Sequence, residues 1–317
     1  MAVETRGERG SGPDLWKRDS RSRKVRERVV KVVLTACAYL SILTTFGIVI
    51  ILFGEAATFF QDVSILRFLT ETEWTAGFAA TPQDGEFGII VLAWATIYST
   101  IIACAVALPV GLGAAIYLSE YASTGMRRWL KPALEILAGV PTIVYGFFAL
   151  TFVTPFLQST LFEGIQIYNI LSAGLVMGVM IIPTVASVSE DAIYAVPSGL
   201  REGAYALGAT KREVATKVVV PAATSGIVAS FVLGISRAVG ETMIVAVAAG
   251  ALAQLTVNPL ESMQTMTAYI VQVTAGESPR GSLEYETIFA VGASLFLMTL
   301  VLNMVAYWFV RKFREVY

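Results

Sequence analysis

The sequence predicts an all-α, polytopic membrane protein with six transmembrane helices, and three observations lead there. Of its 317 residues, 56% are hydrophobic and only 15% charged, with a mean hydropathy of +0.68, whereas soluble domains carry about 25% charged residues. Six apolar stretches are each long enough for a helical span, which takes about 20 residues. The lysines and arginines collect at alternate connections between those stretches, as the positive-inside rule requires. None of the stretches reads as the short alternating segments, about 10 residues long, that build a membrane barrel.

Taken in order, residues 1–31 form a basic tail, rich in Arg, Ser and Gly, expected to be disordered and to act as a topology determinant or lie against anionic lipid headgroups. A first span at 32–53 and an outer loop complete a segment ending at 87. The apolar core of that span is too long for a cleaved signal peptide. A core of five further spans covers 88–311, at 88–118, 132–156, 167–188, 217–255 and 288–310. The spans at 132–156 and 167–188 contain prolines, Pro141 and Pro183, that kink helices. Residues 312–317 form a C-terminal tail.

The charge count sets the orientation. The tail through Lys31 holds ten Lys and Arg. The next connections on that side hold Arg127, Arg128 and Lys131, then Arg201, Lys211, Arg212 and Lys217, then Arg311, Lys312 and Arg314. The opposite loops hold Arg67 and Arg280 among many acids, so both termini are expected in the cytoplasm of a cell-membrane protein.

Several chemistries are excluded. The chain has no histidine, so imidazole catalysis and His-based zinc sites are out. Cys37 and Cys104 fall in separate apolar runs and read as small buried hydrophobes, not as a disulfide or metal pair. No GxxxxGK[ST] phosphate loop occurs, so this chain does not bind ATP that way. A net charge of −1 points to no nucleic-acid partner. We expect no catalytic residue, no metal and no cofactor in this chain.

The loop at 189–217 is too regular for a linker. Residues 190–196 read as a helix stopped by Pro197, and Ser198 is placed to cap a second helix. Gly208 reads as a left-handed helix cap, and Thr210 with Glu213 as a capping box opening the next helix. The outcome is a two-helix knob projecting from the membrane.

Within that knob, Glu202-Gly203-Ala204, three residues, Gly208, nine residues and Val218-Val219-Val220-Pro221 resemble the EAA loop of ABC importer permeases. The match is direct at Glu202, Ala204, Gly208 and Pro221 and departs at Gly203, where the pattern has alanine. Three further stretches, ALPVGLGAAIYLSEYA (107–122), LAGVPTIVYGFFAL (137–150) and SRAVGETMIVAVAAG (236–250), resemble the permeases of phosphate importers, and GETM resembles the PstC-type more than the PstA-type subunit. The resemblance implies the type I, MetI-like permease fold. It also implies two ATPase subunits that carry ATP and Mg, a paralogous PstA-type permease, an extracytoplasmic phosphate-binding protein and phosphate as substrate. In that family the loop docks into the ATPase, which assigns Glu202, Ala204, Gly208 and Pro221 to coupling.

The run 232–250 carries Arg237 and Glu241 inside apolar, glycine-rich sequence. A charge at bilayer depth costs at least about 2.5–3.5 kcal/mol, so it marks function by default. Four residues apart on a continuous helix, the two would share a face and pair. Arginine offers a permanently charged fork suited to phosphate oxygens, and the glutamate would hold it when substrate is absent. Gly234 and Gly240 would let neighbours approach. Thr142, Tyr145 and Ser236 are weaker candidates as neutral donors, since such groups more often bond helix backbone. The alternatives are a purely structural ion pair, a permease for molybdate or sulfate, and a stand-alone secondary transporter, against which stands the lack of a visible internal repeat.

Overall fold

The computed structural model describes residues 20–78, 81–276 and 278–312. Helix α1 (Ser20–Asp62) is followed by α2 (Ile65–Thr70), α3 (Ile89–Ile116), α4 (Thr124–Gly139), α5 (Thr142–Phe148), α6 (Thr154–Thr160) and α7 (Ile170–Tyr194). Then come α8 (Ser198–Ala206), α9 (Lys211–Glu213), α10 (Val220–Ala222), α11 (Thr224–Val239), α12 (Met243–Ala248), α13 (Met266–Ala275) and α14 (Leu283–Lys312). Among the described residues the β structure is one isolated antiparallel bridge, Trp74 to Phe87. Among the described residues five helical stretches are long and apolar enough to cross a membrane, and six if the pair Lys211–Ala222 and Thr224–Val239, bent by 71°, counts as one span.

The residues up to Ile51 form one unit and those from Leu52 another. In the first, α1 is helical from Ser20, so the later part of the basic tail is helix where disorder was expected; residues 1–19 of that tail, like 313–317 of the C-terminal tail, lie outside the described residues. Cys37 on α1 is exposed and Cys104 on α3 half-buried, so neither is the fully buried hydrophobe the sequence suggested.

The centre of the second unit is the packing of α3 on α7. Gly174 and Gly178 of α7 bring the backbones close: a Cβ at Gly178 would stand 2.8 Å from the Ala103 carbonyl oxygen. Ala95, Ala103, Ala107, Ala173, Met177, Met180 and Ile181 fill this seam with α5, α11 and α12 around it. Close approach through small residues is how membrane helices gain dispersion contacts, because lipid supplies no hydrophobic drive between them. A buried hydroxyl pair, Ser189 and Ser230 at 2.6 Å, adds a cross-link between α7 and α11.

A second cluster, with Phe59, Phe68, Trp74, Phe87 and Tyr269, covers the ends of α3 and α14. It is secured in the outer loop by Arg67, which pairs with Glu71 at 2.6 Å and donates to the Pro82 and Gly85 carbonyls. Burial pushes the Glu71 carboxyl up, but the Phe87 N–H and Arg67 outweigh it and hold it below the ordinary value.

Two expected spans are corrected. The stretch 132–156 is not one helix: α4 ends at Gly139, Val140 is extended (φ −66°, ψ 130°), and α5 starts after Pro141. Proline disfavours helical geometry in the residue before it, so the chain breaks there and does not merely kink. The span is Thr142–Thr160. It widens into a π turn (Ala149–Val153) ahead of Pro155, whose ring cannot donate to the preceding turn. The stretch 217–255 is likewise broken. A π turn (Val214–Val219) precedes Pro221, the axis bends at Ala223, and α11 stops at Val239.

The predicted outer loop after it holds a short apolar helix, α13, capped by the Thr265 hydroxyl. The chain between α12 and α13 is tied down by Trp94 and Tyr98, which donate to the Thr256 and Val257 carbonyls.

Candidate functional site

Arg237 lies in the last turn of α11, and Gly240 is the C-cap. Its Nη1 donates to Thr184 Oγ1 on α7 at 2.7 Å. Glu241 lies beyond the helix end, 8% exposed. Its Oε1 accepts from the backbone N–H groups of Met243 (3.0 Å) and Ile244 (3.2 Å). Among the described residues no carboxylate forms an ion pair with Arg237. The expected pairing of Arg237 with Glu241 on one helix face is therefore corrected: the helix connecting them ends between them. Each charge instead sits at a helix end of opposite partial charge, the cation at the C-terminus of α11 and the anion at the N-terminus of α12. Such placement is worth about 0.3–1 kcal/mol, up to about 2 when partly buried.

The surroundings keep Arg237 near polar groups. Gly234, one turn earlier, lies against α7, where a Cβ would stand 3.0 Å from Val185 Cγ2 and 3.3 Å from Ile181 Cγ2, so α11 approaches α7 closely. Gly240, expected to let neighbours approach, does so little: a Cβ there would meet only the Ser236 carbonyl at 3.6 Å. Thr184 also lines a groove between α4 and α7 of about 240 Å³, with Lys131, Glu135, Ser187 and Glu190. Of the weaker candidates, Tyr145 donates to the Leu137 carbonyl and Ser236 to Asn303 Oδ1. Thr142 opens α5 behind Pro141. The Glu241 carbonyl accepts from the buried Thr267 hydroxyl, so the break also anchors α13.

The second candidate site is the knob. The helix expected at 190–196 is the end of α7, which runs to Tyr194 without interruption. Ser198 is the first residue of α8, not its cap; Pro197 holds that position without a side-chain bond. Gly208 has φ +85°, the left-handed cap expected. Thr210 and Glu213 form the capping box, with Glu213 Oε2 accepting from Thr210 N and Oγ1.

Glu202 and Leu207 project into solvent, Leu207 at 90% exposure, while Ala204 packs inward on Ala115, Ile193, Val214 and Val219. A Cβ at Gly203 would meet nothing within 4 Å, so the departure from the alanine of the EAA pattern costs no packing. Pro221 begins the bend into α11. Glu202 and Gly208 are thus exposed, Ala204 faces the cluster beneath the knob, and Pro221 stands where the chain turns into α11.

Charged residues to which the sequence reading gave no site role tie this region down. Glu190, 1% exposed at the end of α7, pairs with Arg127 (2.6 Å) and Lys131 (3.4 Å) of α4. Arg127 also lies over the Tyr194 ring at 4.9 Å. An acid closing an apolar run was the available signal: Glu190 follows twenty-six residues (164–189) without a charge.

A family model described as "Binding-protein-dependent transport system inner membrane component" matches residues 107–315. The "Probable ABC transporter permease protein YqgH" of Bacillus subtilis is 34% identical over 271 residues, covering 85% of this chain and 86% of that protein. The "Phosphate transport system permease protein PstC" of Xylella fastidiosa is 34% identical over 273 residues, 80% of each. The protein of the same name from Haemophilus influenzae is 33% identical, covering 78% and 82%. Among solved structures, a bacterial alginate ABC transporter in complex with a pentasaccharide-bound periplasmic protein superposes with TM-score 0.62 at 16% identity, covering 92% and 96%. The inward-facing MetNI methionine ABC transporter superposes with TM-score 0.52 at 20% identity, covering 72% and 95%. At those identities the two structures bear on the fold alone.

Proposed function

This chain belongs to the family of binding-protein-dependent transport system inner membrane components, the ABC importer permeases, and from that premise we propose that its substrate is inorganic phosphate. Phosphate is in the names of relatives that are 32–34% identical over most of the chain. The observation that carries the reading is Arg237: a half-buried guanidinium at a helix end whose one hydrogen bond among the described residues goes to a neutral hydroxyl. Arginine presents five donors in a rigid fork that fits a tetrahedral oxyanion. Because Glu241 is occupied by the backbone of α12, no internal acid needs displacing when the anion arrives.

In this reading phosphate is delivered by an extracytoplasmic binding protein and passes between this chain and a paralogous PstA-type permease. Two ATPase subunits carry ATP and Mg and do the hydrolysis, and this chain is non-catalytic. The 189–217 segment docks on an ATPase through Glu202, Ala204, Gly208 and Pro221. Both termini lie in the cytoplasm, residues 1–31 as a basic tail and 312–317 as a short one. The loop before residue 88 is outside, and 88–311 is the permease core.

The test is uptake of labelled phosphate by cells lacking this chain and by cells complemented with it, in the presence of excess sulfate or molybdate. Restored uptake that neither competitor reduces supports phosphate. Competition by either transfers the assignment to that oxyanion.

A further inference from the structure

We propose that Arg201 is a positioning residue that clamps the coupling helix α8 to the ends of α3 and α7, so that the three move as one body. The proposal rests on the permease reading above, and concerns how a push on the knob reaches the membrane helices.

Arg201 stands next to Glu202 on α8. Its Nη2 donates to the Ile193 carbonyl at 2.8 Å and its Nη1 to the Val196 carbonyl, both at the end of α7. Its Nε and Nη2 reach Glu120 Oε1 at 3.2 and 3.1 Å. Glu120, 7% exposed, belongs to the π turn Tyr117–Tyr121 that continues α3. One guanidinium thus joins three elements, neutralises a buried acid and adds a charged donor to carbonyls at and just beyond the C-terminus of α7. A lysine cannot make this set, having a point charge and no planar fork.

Without the clamp the knob has two points of articulation. Pro197 is extended (φ −54°, ψ 137°) before α8, and Gly208 is left-handed after it. No residue of α8 is buried, so apolar packing alone holds it weakly; Ala204 packs against the cluster that includes Val214 and Val219 of the following π turn, and beyond Gly208 the Lys211 ammonium of α9 stands over the Tyr121 ring at 5.2 Å. Force applied to an unclamped α8 bends the chain at these two points. Force on the clamped helix is delivered to α3 and α7, the pair whose seam forms the centre of the unit and whose Thr184 holds Arg237.

The experiment uses the complete transporter in proteoliposomes, with wild type, Arg201→Gln, Arg201→Lys and Glu120→Gln. It reads phosphate transported per ATP hydrolysed, stimulation of the ATPase by the binding protein, and amide hydrogen exchange of α8. For Arg201→Gln we expect an assembled complex with ATPase activity, a several-fold drop in transport per ATP, weakened stimulation and faster exchange confined to α8. Lysine should recover part of the coupling, and Glu120→Gln should fall between wild type and Arg201→Gln.

Unchanged α8 exchange overturns the clamp, and faster exchange with an unchanged transport-to-ATP ratio overturns its role in coupling. If Arg201→Gln fails to assemble, Arg201→Lys and Glu120→Gln are read by the same criteria. Should the wild type not move phosphate, the phosphate reading fails, while exchange and ATPase stimulation still decide the clamp.

Discussion

Arg237 of α11 donates to Thr184 of α7 at 2.7 Å, and this bond, not one to Glu241, is what the guanidinium makes inside the protein. Its consequence is a division of labour across the helix break at Gly240. Among the described residues the cation has most of its donors open, and the acid is consumed as a backbone acceptor. The two residues therefore give different mutational outcomes.

Glu241→Gln should be mild. Glutamine keeps an acceptor oxygen for Met243 and Ile244, and only the charge–dipole part, about 0.3–1 kcal/mol, is lost. Glu241→Ala removes the acceptor from two N–H groups and should cost about 1–3 kcal/mol locally. Exchanging Arg237 and Glu241 should restore nothing, since no pair exists to be restored. Uptake beside membrane abundance checks all three; a functional exchange variant would reinstate the ion pair.

Gly208→Val should abolish coupling, because a β-branched residue at φ +85° is strained by at least about 1–2 kcal/mol and the knob loses its turn. Gly203→Ala should be neutral or stabilise α8 by up to about 1 kcal/mol, because the site is helical and open. Co-purification of the ATPase with each variant is the measurement. Retained association and uptake in Gly208→Val would remove it from the coupling surface.

Orientation is tested by single cysteines in a background without Cys37 and Cys104. Gln83→Cys and Arg280→Cys, both exposed, should react with an impermeant thiol reagent in intact cells. Ser198→Cys should react only after permeabilisation. The reverse pattern would invert the topology deduced from the charge distribution.

How far the sequence reached follows from which forces are local. The knob was legible because its determinants are: a capping box and a left-handed glycine act within a few residues, and Gly208, Thr210 and Glu213 are found as read. Spans were legible as hydropathy but not as continuous helices. Pro141 announced a kink and makes a full break, because Val140 is forced out of the helical region.

The break at Gly240 had a signal that was passed over. A glycine followed by an acid is a C-cap followed by an anion at the next helix N-terminus. Apolar continuity through 250 hid it. The clamp at Arg201 was not legible, since its partners Glu120, Ile193 and Val196 come together only when α3, α7 and α8 meet.

The most direct test of the central claim is phosphate uptake by Arg237→Gln in a complex whose membrane abundance and ATPase association are measured in parallel. Glutamine retains a donor for Thr184 but not the charged fork. The loss of even one or two charge-assisted bonds to the anion, about 3 kcal/mol, should lower uptake roughly a hundredfold in an assembled complex. Arg237→Lys should recover a fraction of it. Wild-type uptake by an assembled Arg237→Gln complex would contradict the account.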